Sequence, residues 1–134
     1  MKAVLDTRFF IASLESKDEQ FKKWARLTLD ALEKTANHGL VPSIVILELY
    51  KIQLERFGKD VAETRLNSVL KSKLHIINLD SAIAIQAAKL RCKYPQLPTA
   101  DAVIAATAIK TDSDCVLTDD NHIKQIKETK TRWP

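Results

Sequence analysis

An open α/β fold, a parallel sheet covered by helices on both faces, is predicted by three observations. Short β-rich runs alternate with longer helical patterns, and strands separated by helices are joined by parallel crossovers. Only two Gly and four Pro occur and aromatics make up 6% of the chain, which favours long helices over a turn-rich all-β fold. At 134 residues, 46% of them apolar, the chain suits one domain, residues 1–134, better than two.

The elements follow in order. Lys2-Ala3-Val4-Leu5 reads as the first strand, with a helix over residues 8–15. A second helical pattern over 18–37 carries Phe21, Trp24, Leu27, Leu29, Ala31 and Leu32 as an apolar stripe beside Lys22, Lys23, Arg26 and Lys34. Leu40-Val41 forms the second strand, and a helix over 43–57 is expected to start at Ser43 as cap and stop at Gly58. A helix over 60–71, the strand Leu74-His75-Ile76-Ile77 and a helix over 81–94 capped by Asp80 come next. Thr99 is the expected cap of an Ala-rich helix over 99–110. Cys115-Val116-Leu117-Thr118 is the fourth strand, Asn121 to Ile126 a short helical run, and Thr129 to Trp133 an added edge strand. No repeat, linker or domain boundary interrupts this succession.

Lys and Arg number 21 against 17 Asp and Glu, giving a net charge of +4 and a pI near 9.1. This mild basic bias permits nucleic acid as a partner without specifying it. Cys92 and Cys115 are too few for a metal-binding Cys cluster and form no CxxC pair, so they read as buried thiols of an intracellular protein. The opening Met1-Lys2-Ala3-Val4-Leu5-Asp6 meets a charge too early for a signal peptide, and no run of ~18 apolar residues is present. A soluble cytoplasmic protein with no membrane partner is expected.

Four acids stand where a core or a strand end would not need them. Asp6 follows the first strand at its carboxyl end, where open α/β sheets place ligands, although a turn or capping role also fits. Glu48 lies four residues from both Ile44 and Ile52, so helical spacing puts it on an apolar stripe. A carboxylate buried there must be protonated, paired with a base or bound to a cation. Asp101 sits in the first turn of the Ala-rich helix, where it also complements the helix dipole. Asp119 and Asp120 follow the fourth strand; one of them can cap the short helix while the other faces the crevice, and their order is open at this level. Carboxylates from four segments converging on one sheet edge repel one another unless a multivalent cation neutralises them. All-oxygen ligation selects Mg²⁺ or Mn²⁺ over Zn²⁺, and such an ion suits phosphodiester hydrolysis.

Four motifs in order carry a resemblance that covers essentially the whole chain: Ala3-Val4-Leu5-Asp6-Thr7, Val45-Ile46-Leu47-Glu48-Leu49-Tyr50-Lys51, Ala100-Asp101-Ala102-Val103-Ile104-Ala105-Ala106-Thr107-Ala108 and Val116-Leu117-Thr118-Asp119-Asp120. The chain resembles PIN-domain ribonucleases, most closely the VapC-type toxins of toxin–antitoxin pairs. The resemblance implies a three-layer α/β/α sandwich around a short parallel sheet, an acidic quartet holding one or two Mg²⁺ or Mn²⁺ ions, and cleavage of single-stranded RNA. It assigns Asp6, Glu48, Asp101 and Asp120 as the metal-holding catalytic acids, since the fourth motif usually reads Thr, any residue, Asp; Asp119 is the alternative. Thr7 and Thr118 resemble hydroxyl residues that support the acids, and Ile123 stands where the family often has an aromatic. The family has no dedicated protein general base, and His38, His75 and His122 fall outside the matched acids; His75 sits in a strand as a structural residue, and His122 lies near the crevice, within reach of substrate. Arg8, Lys51 and Arg56 are candidates for phosphate contact, although solvated helix faces carry such residues commonly.

The family also implies a homodimer, for which Trp24, Tyr50 and Phe57 offer a face if they are not core, and an antitoxin whose carboxyl-terminal segment covers the acids with a basic side chain. The alternatives are a PIN nuclease of RNA processing or decay without an antitoxin and, more remotely, a phosphoryl-receiver domain. Receivers need paired acids after the first strand, an Asp after the third and a Lys after the fifth, whereas this chain offers one acid after its first strand and an Ala-rich helix bearing Asp101.

Overall fold

The computed structural model describes residues 1–134. The chain runs β1 (Lys2–Leu5), α1 (Thr7–Glu15), α2 (Glu19–Leu32), β2 (His38–Pro42), α3 (Ser43–Phe57), α4 (Lys59–Leu70), β3 (His75–Ile77), α5 (Ser81–Lys93), α6 (Thr99–Lys110), β4 (Cys115–Leu117), α7 (Asn121–Lys124) and β5 (Thr131–Arg132). All five strands are parallel, in the order β3-β2-β1-β4-β5. Signal receivers place β3 beside β1 with β2 at the edge. Here β2 lies between β1 and β3, which removes the receiver reading.

Crossovers β1 to β2 and β2 to β3 step one way along the sheet, and β3 to β4 steps back past both inner strands. With right-handed connections, the helices between β3 and β4 therefore lie on the face opposite those of the first two crossovers. Both faces are covered, which is why Ala3, Val4, Leu5 and Val116 are wholly buried with no polar alternation. The main core joins these strands to Phe9, Phe21, Leu32, Val45, Leu49 and Ile104, and a second cluster packs α5 on α6 through Ile83, Leu90, Leu97 and Ala102.

Several boundaries differ from those expected. The second helix ends at Leu32 instead of 37, because Asn37 Nδ2 donates to the Ala31 carbonyl and closes the helix end before β2 begins. β2 starts at His38, two residues early, drawn into the ladder by pairing of Lys2 with His38 and Ala3 with Gly39. A Cβ at Gly39 would stand 2.5 Å from Leu74 Cδ2 and 3.2 Å from Leu32 Cβ, so the close approach of helix and strand needs glycine there. Neither Ser43 nor Thr99 is a cap: α3 and α6 start at those residues, after Pro42 and Pro98, without a side-chain cap. Ser43 Oγ instead accepts from the Leu79 backbone N–H at 3.1 Å, tying the ends of β2 and β3. Asp80 does cap α5, accepting from Ile83 N–H, and Gly58 ends α3 with φ of +80°. Trp24 is half-buried and packs among Phe9, Phe21 and Trp133, whereas Phe57 is exposed. Of the two thiols expected to be buried, Cys115 is, whereas Cys92 is exposed on α5. No helix is long and apolar enough to cross a membrane.

Candidate active site

Helix starts bring the acids to the carboxyl edge of the sheet. Asp6, the residue between β1 and α1, is the N-cap of α1: its Oδ1 accepts from the Thr7 backbone N–H at 2.7 Å. Asp120 is the N-cap of α7, accepting from His122 and Ile123 N–H. Asp101 lies in the first turn of α6 and Glu48 on the second turn of α3. All four line one crevice of about 510 Å³, together with Thr7, Arg8, Ile11, Ala12, Glu15, Ser16, Ile52 and Arg56. For Asp6, capping and lining the crevice are not alternatives, because one carboxylate does both.

Two threonines hold the acids. Thr7 Oγ1 donates to Glu48 Oε1 at 2.7 Å, linking α1 to α3. Thr118 is wholly buried; its hydroxyl donates to Asp6 Oδ2 at 2.5 Å and accepts from the Asp120 N–H at 3.0 Å. The side chain of Thr118 thereby sets the spacing between the first and fourth acids. Each of the bonds to Asp6 and Glu48 uses one lone pair of a carboxylate oxygen, and each oxygen retains another.

No Lys or Arg pairs with Asp6, Glu48, Asp101 or Asp120. Arg8 forms a two-pronged pair with Asp119, Arg56 meets Glu15 at 2.5 Å, and Lys51 meets Glu55 at 2.7 Å. Asp119 is thus not among the crevice residues, and Arg8 holds its carboxyl below the usual range. Asp6 is only 3% exposed, and burial raises it to about 6 against the opposing hydrogen bonds from Thr118 and Thr7; the charges of Asp120 and Glu48 add to the rise. Burial and then the charges of Asp120, Asp6 and Glu48 raise Asp101 to about 7, with His122 opposing. Helix starts favour ionised acids, but here desolvation and mutual repulsion win.

Glu48 is half-buried, as are Ile44 and Ile52; Ile52 lines the crevice while Ile44 packs against the core, so Glu48 sits where the two meet. Lys51 turns away to an apolar groove between α3 and α4, while Arg8 and Arg56 stand at the crevice. His38 and His75 open β2 and β3, and their rings lie 5.7 Å apart. Ile123 is fully buried. The sequence reading passed over the α1 wall of Ile11, Ala12 and Glu15. Counting helical turns from Arg8 finds it, at spacings of three, four and seven residues. His122, expected near the crevice, has its Nδ1 3.4 Å from Asp120 Oδ1.

The sequence matches the family model of the PIN domain over residues 3–129. Among solved structures, similar folds include VapBC2 from Rickettsia felis bound to a DNA fragment from their promoter, at 21% identity and TM-score 0.81 over 98% of each chain. VapC20 of Mycobacterium tuberculosis, a toxin that cleaves the sarcin-ricin loop, matches at 16% identity and TM-score 0.72, covering 92% of this chain and 93% of that one. A toxin–antitoxin complex from Klebsiella pneumoniae matches at 23% identity and TM-score 0.71, covering 95% and 94%. At these identities the likeness speaks for the fold. No curated protein matches the sequence.

Proposed function

The chain belongs to the PIN-domain family, and from that premise we propose that it is a metal-dependent endoribonuclease acting on single-stranded RNA, the toxin of a toxin–antitoxin pair. One observation carries this reading: four carboxylates from four segments line a single crevice, and no Lys or Arg neutralises any of them. A donor set of carboxylate oxygens fits Mg²⁺ or Mn²⁺. Asp6, Glu48, Asp101 and Asp120 are the residues to hold the ion. Bound there, a divalent cation supplies Lewis-acid chemistry, neutralising phosphate oxygens and acidifying the attacking water. The protein's own part is to fix the acids through Thr7 and Thr118 and to present cations at the rim. Arg8 and Arg56 offset the repulsion between an anionic crevice and RNA phosphates.

Toxins and toxin–antitoxin complexes among the structural neighbours support a protein antitoxin as partner. The groove between α3 and α4, lined by Ile46, Leu47, Tyr50, Leu54 and Leu66, supports a homodimer face; Leu47 is 60% exposed. Cleavage of single-stranded RNA with added Mg²⁺ or Mn²⁺ is the test. Asp6→Asn, Glu48→Gln and Asp101→Asn are each expected to lower the rate by about a hundredfold or more. Undiminished cleavage in EDTA would defeat the metal assignment.

A further inference from the structure

His122 stands where an additional donor would. Its Nδ1 lies 3.4 Å from Asp120 Oδ1 and 3.8 Å from Asp101 Oδ2, and one donor atom from each of the three residues falls within 4.8 Å of the other two. Ligands about 2.1 Å from one ion sit about 3.0 Å apart when adjacent in an octahedral shell and about 4.2 Å apart when opposite. The His122 spacings, 3.4 and 3.8 Å, lie between the two, within a small rotation of the ring from an adjacent position. The ring is half-exposed, and it is the backbone of His122 that the site holds in place. Asp120 caps α7 through the backbone N–H groups of His122 and Ile123, so ring and cap converge on one carboxylate. Ile123, the next residue, is fully buried and anchors the turn.

We propose that His122 is a nitrogen ligand of the ion in the acid crevice and makes the site select Mn²⁺ over Mg²⁺; this rests on the metal-dependent reading above. Carboxylates and water suit both ions, whereas imidazole nitrogen suits first-row transition ions and gains little from Mg²⁺, which takes oxygen. A carboxylate-only site would separate the two ions by their general affinity order alone. A ring in the shell adds a preference that only Mn²⁺ takes up.

The test binds Mn²⁺ alone and Mg²⁺ alone to the full chain by calorimetry in wild type, His122→Ala, His122→Asn and Asp101→Asn, with pulsed EPR on the bound Mn²⁺. In both His122 variants Mn²⁺ affinity should fall about tenfold or more while Mg²⁺ affinity stays within about twofold. Wild type should show nitrogen hyperfine coupling to Mn²⁺, and both variants should lose it. A ring that only lends positive charge to the acids would leave the ratio of the two affinities unchanged on removal and give no nitrogen coupling, and either result overturns the proposal. Asp101→Asn reports on the underlying reading: it should weaken both ions. Wild-type binding of neither ion, or unchanged binding in Asp101→Asn, removes that reading along with the ligand role. Thermal melts of both His122 variants check that α7 stays folded.

Discussion

Asp119 and Asp120 are neighbours with different surroundings. Asp119 is taken by the Arg8 guanidinium from the first turn of α1, whereas Asp120 lines the crevice and caps α7. Asp120→Asn is therefore expected to lower RNA cleavage at least about tenfold more than Asp119→Asn, measured as kcat/KM on one substrate. The opposite ranking would transfer the fourth acid to Asp119. Position alone leaves the two unordered, since both follow the same strand, and only the resemblance of the Thr118-Asp119-Asp120 motif favours Asp120. Arg8, which separates them, lies 111 residues away from Asp119. Asp6, Glu48 and Asp101 were legible for the opposite reason: each stood out against its own local pattern, as an acid at a strand end, on an apolar stripe or in an Ala-rich first turn. His122 lacked such a contrast, since a lone His in a polar turn looks ordinary until Asp101 arrives beside it.

At the scale of the element, legibility followed periodicity and local stop signals. α3 and α6 have the bounds the sequence predicts, 43–57 and 99–110, because Pro precedes each one and Gly58 ends the first. α6 is buried without break from Ala102 to Ala108, packed between sheet and α5. An all-round apolar helix carries no face to predict, so its small residues, and not a stripe, signalled close packing. The misplaced ends of α2 and β2 depended on Asn37 and on strand pairing, both of which need a partner from elsewhere in the chain. Gly39 marks the tightest of these meetings. Gly39→Ala should destabilise the protein by about 1–3 kcal/mol in urea titration, since Leu74 can rotate away but the Leu32 Cβ is fixed to its helix. An unchanged midpoint would mean that α2 shifts freely over the sheet.

For the whole molecule, the crevice sets a dependence of stability on pH. Asp6 and Asp101 are raised to about 6 and about 7 from 3.8, so the ion-free folded chain binds more protons than the unfolded one across that range. Their contribution is complete below about pH 4 and is lost as pH rises through about 6 to 7. Asp119 and Glu128, whose carboxyls are held low, act below that window. The melting temperature of chelator-treated protein should accordingly fall between about pH 5 and about pH 8, and excess Mn²⁺ should close the gap. A melting temperature that rises over the same interval would contradict the repulsion read from the crevice. A net charge of +4 on the molecule coexists with this local anionic concentration, so overall basicity and site chemistry are independent features of the chain.

Asp6 and Asp120 also hold the first turns of α1 and α7, as their N-caps. Disarming the protein and unravelling it are therefore separable events. A replacement that still accepts an amide proton, such as Asn or Ser, is expected to end RNA cleavage and spare the scaffold, whereas Ala is expected to injure both, with cleavage assays and thermal melts as the check. Lineages that let this activity lapse have a gentle path open to them, through amide or hydroxyl substitutes that leave an inert but intact shell.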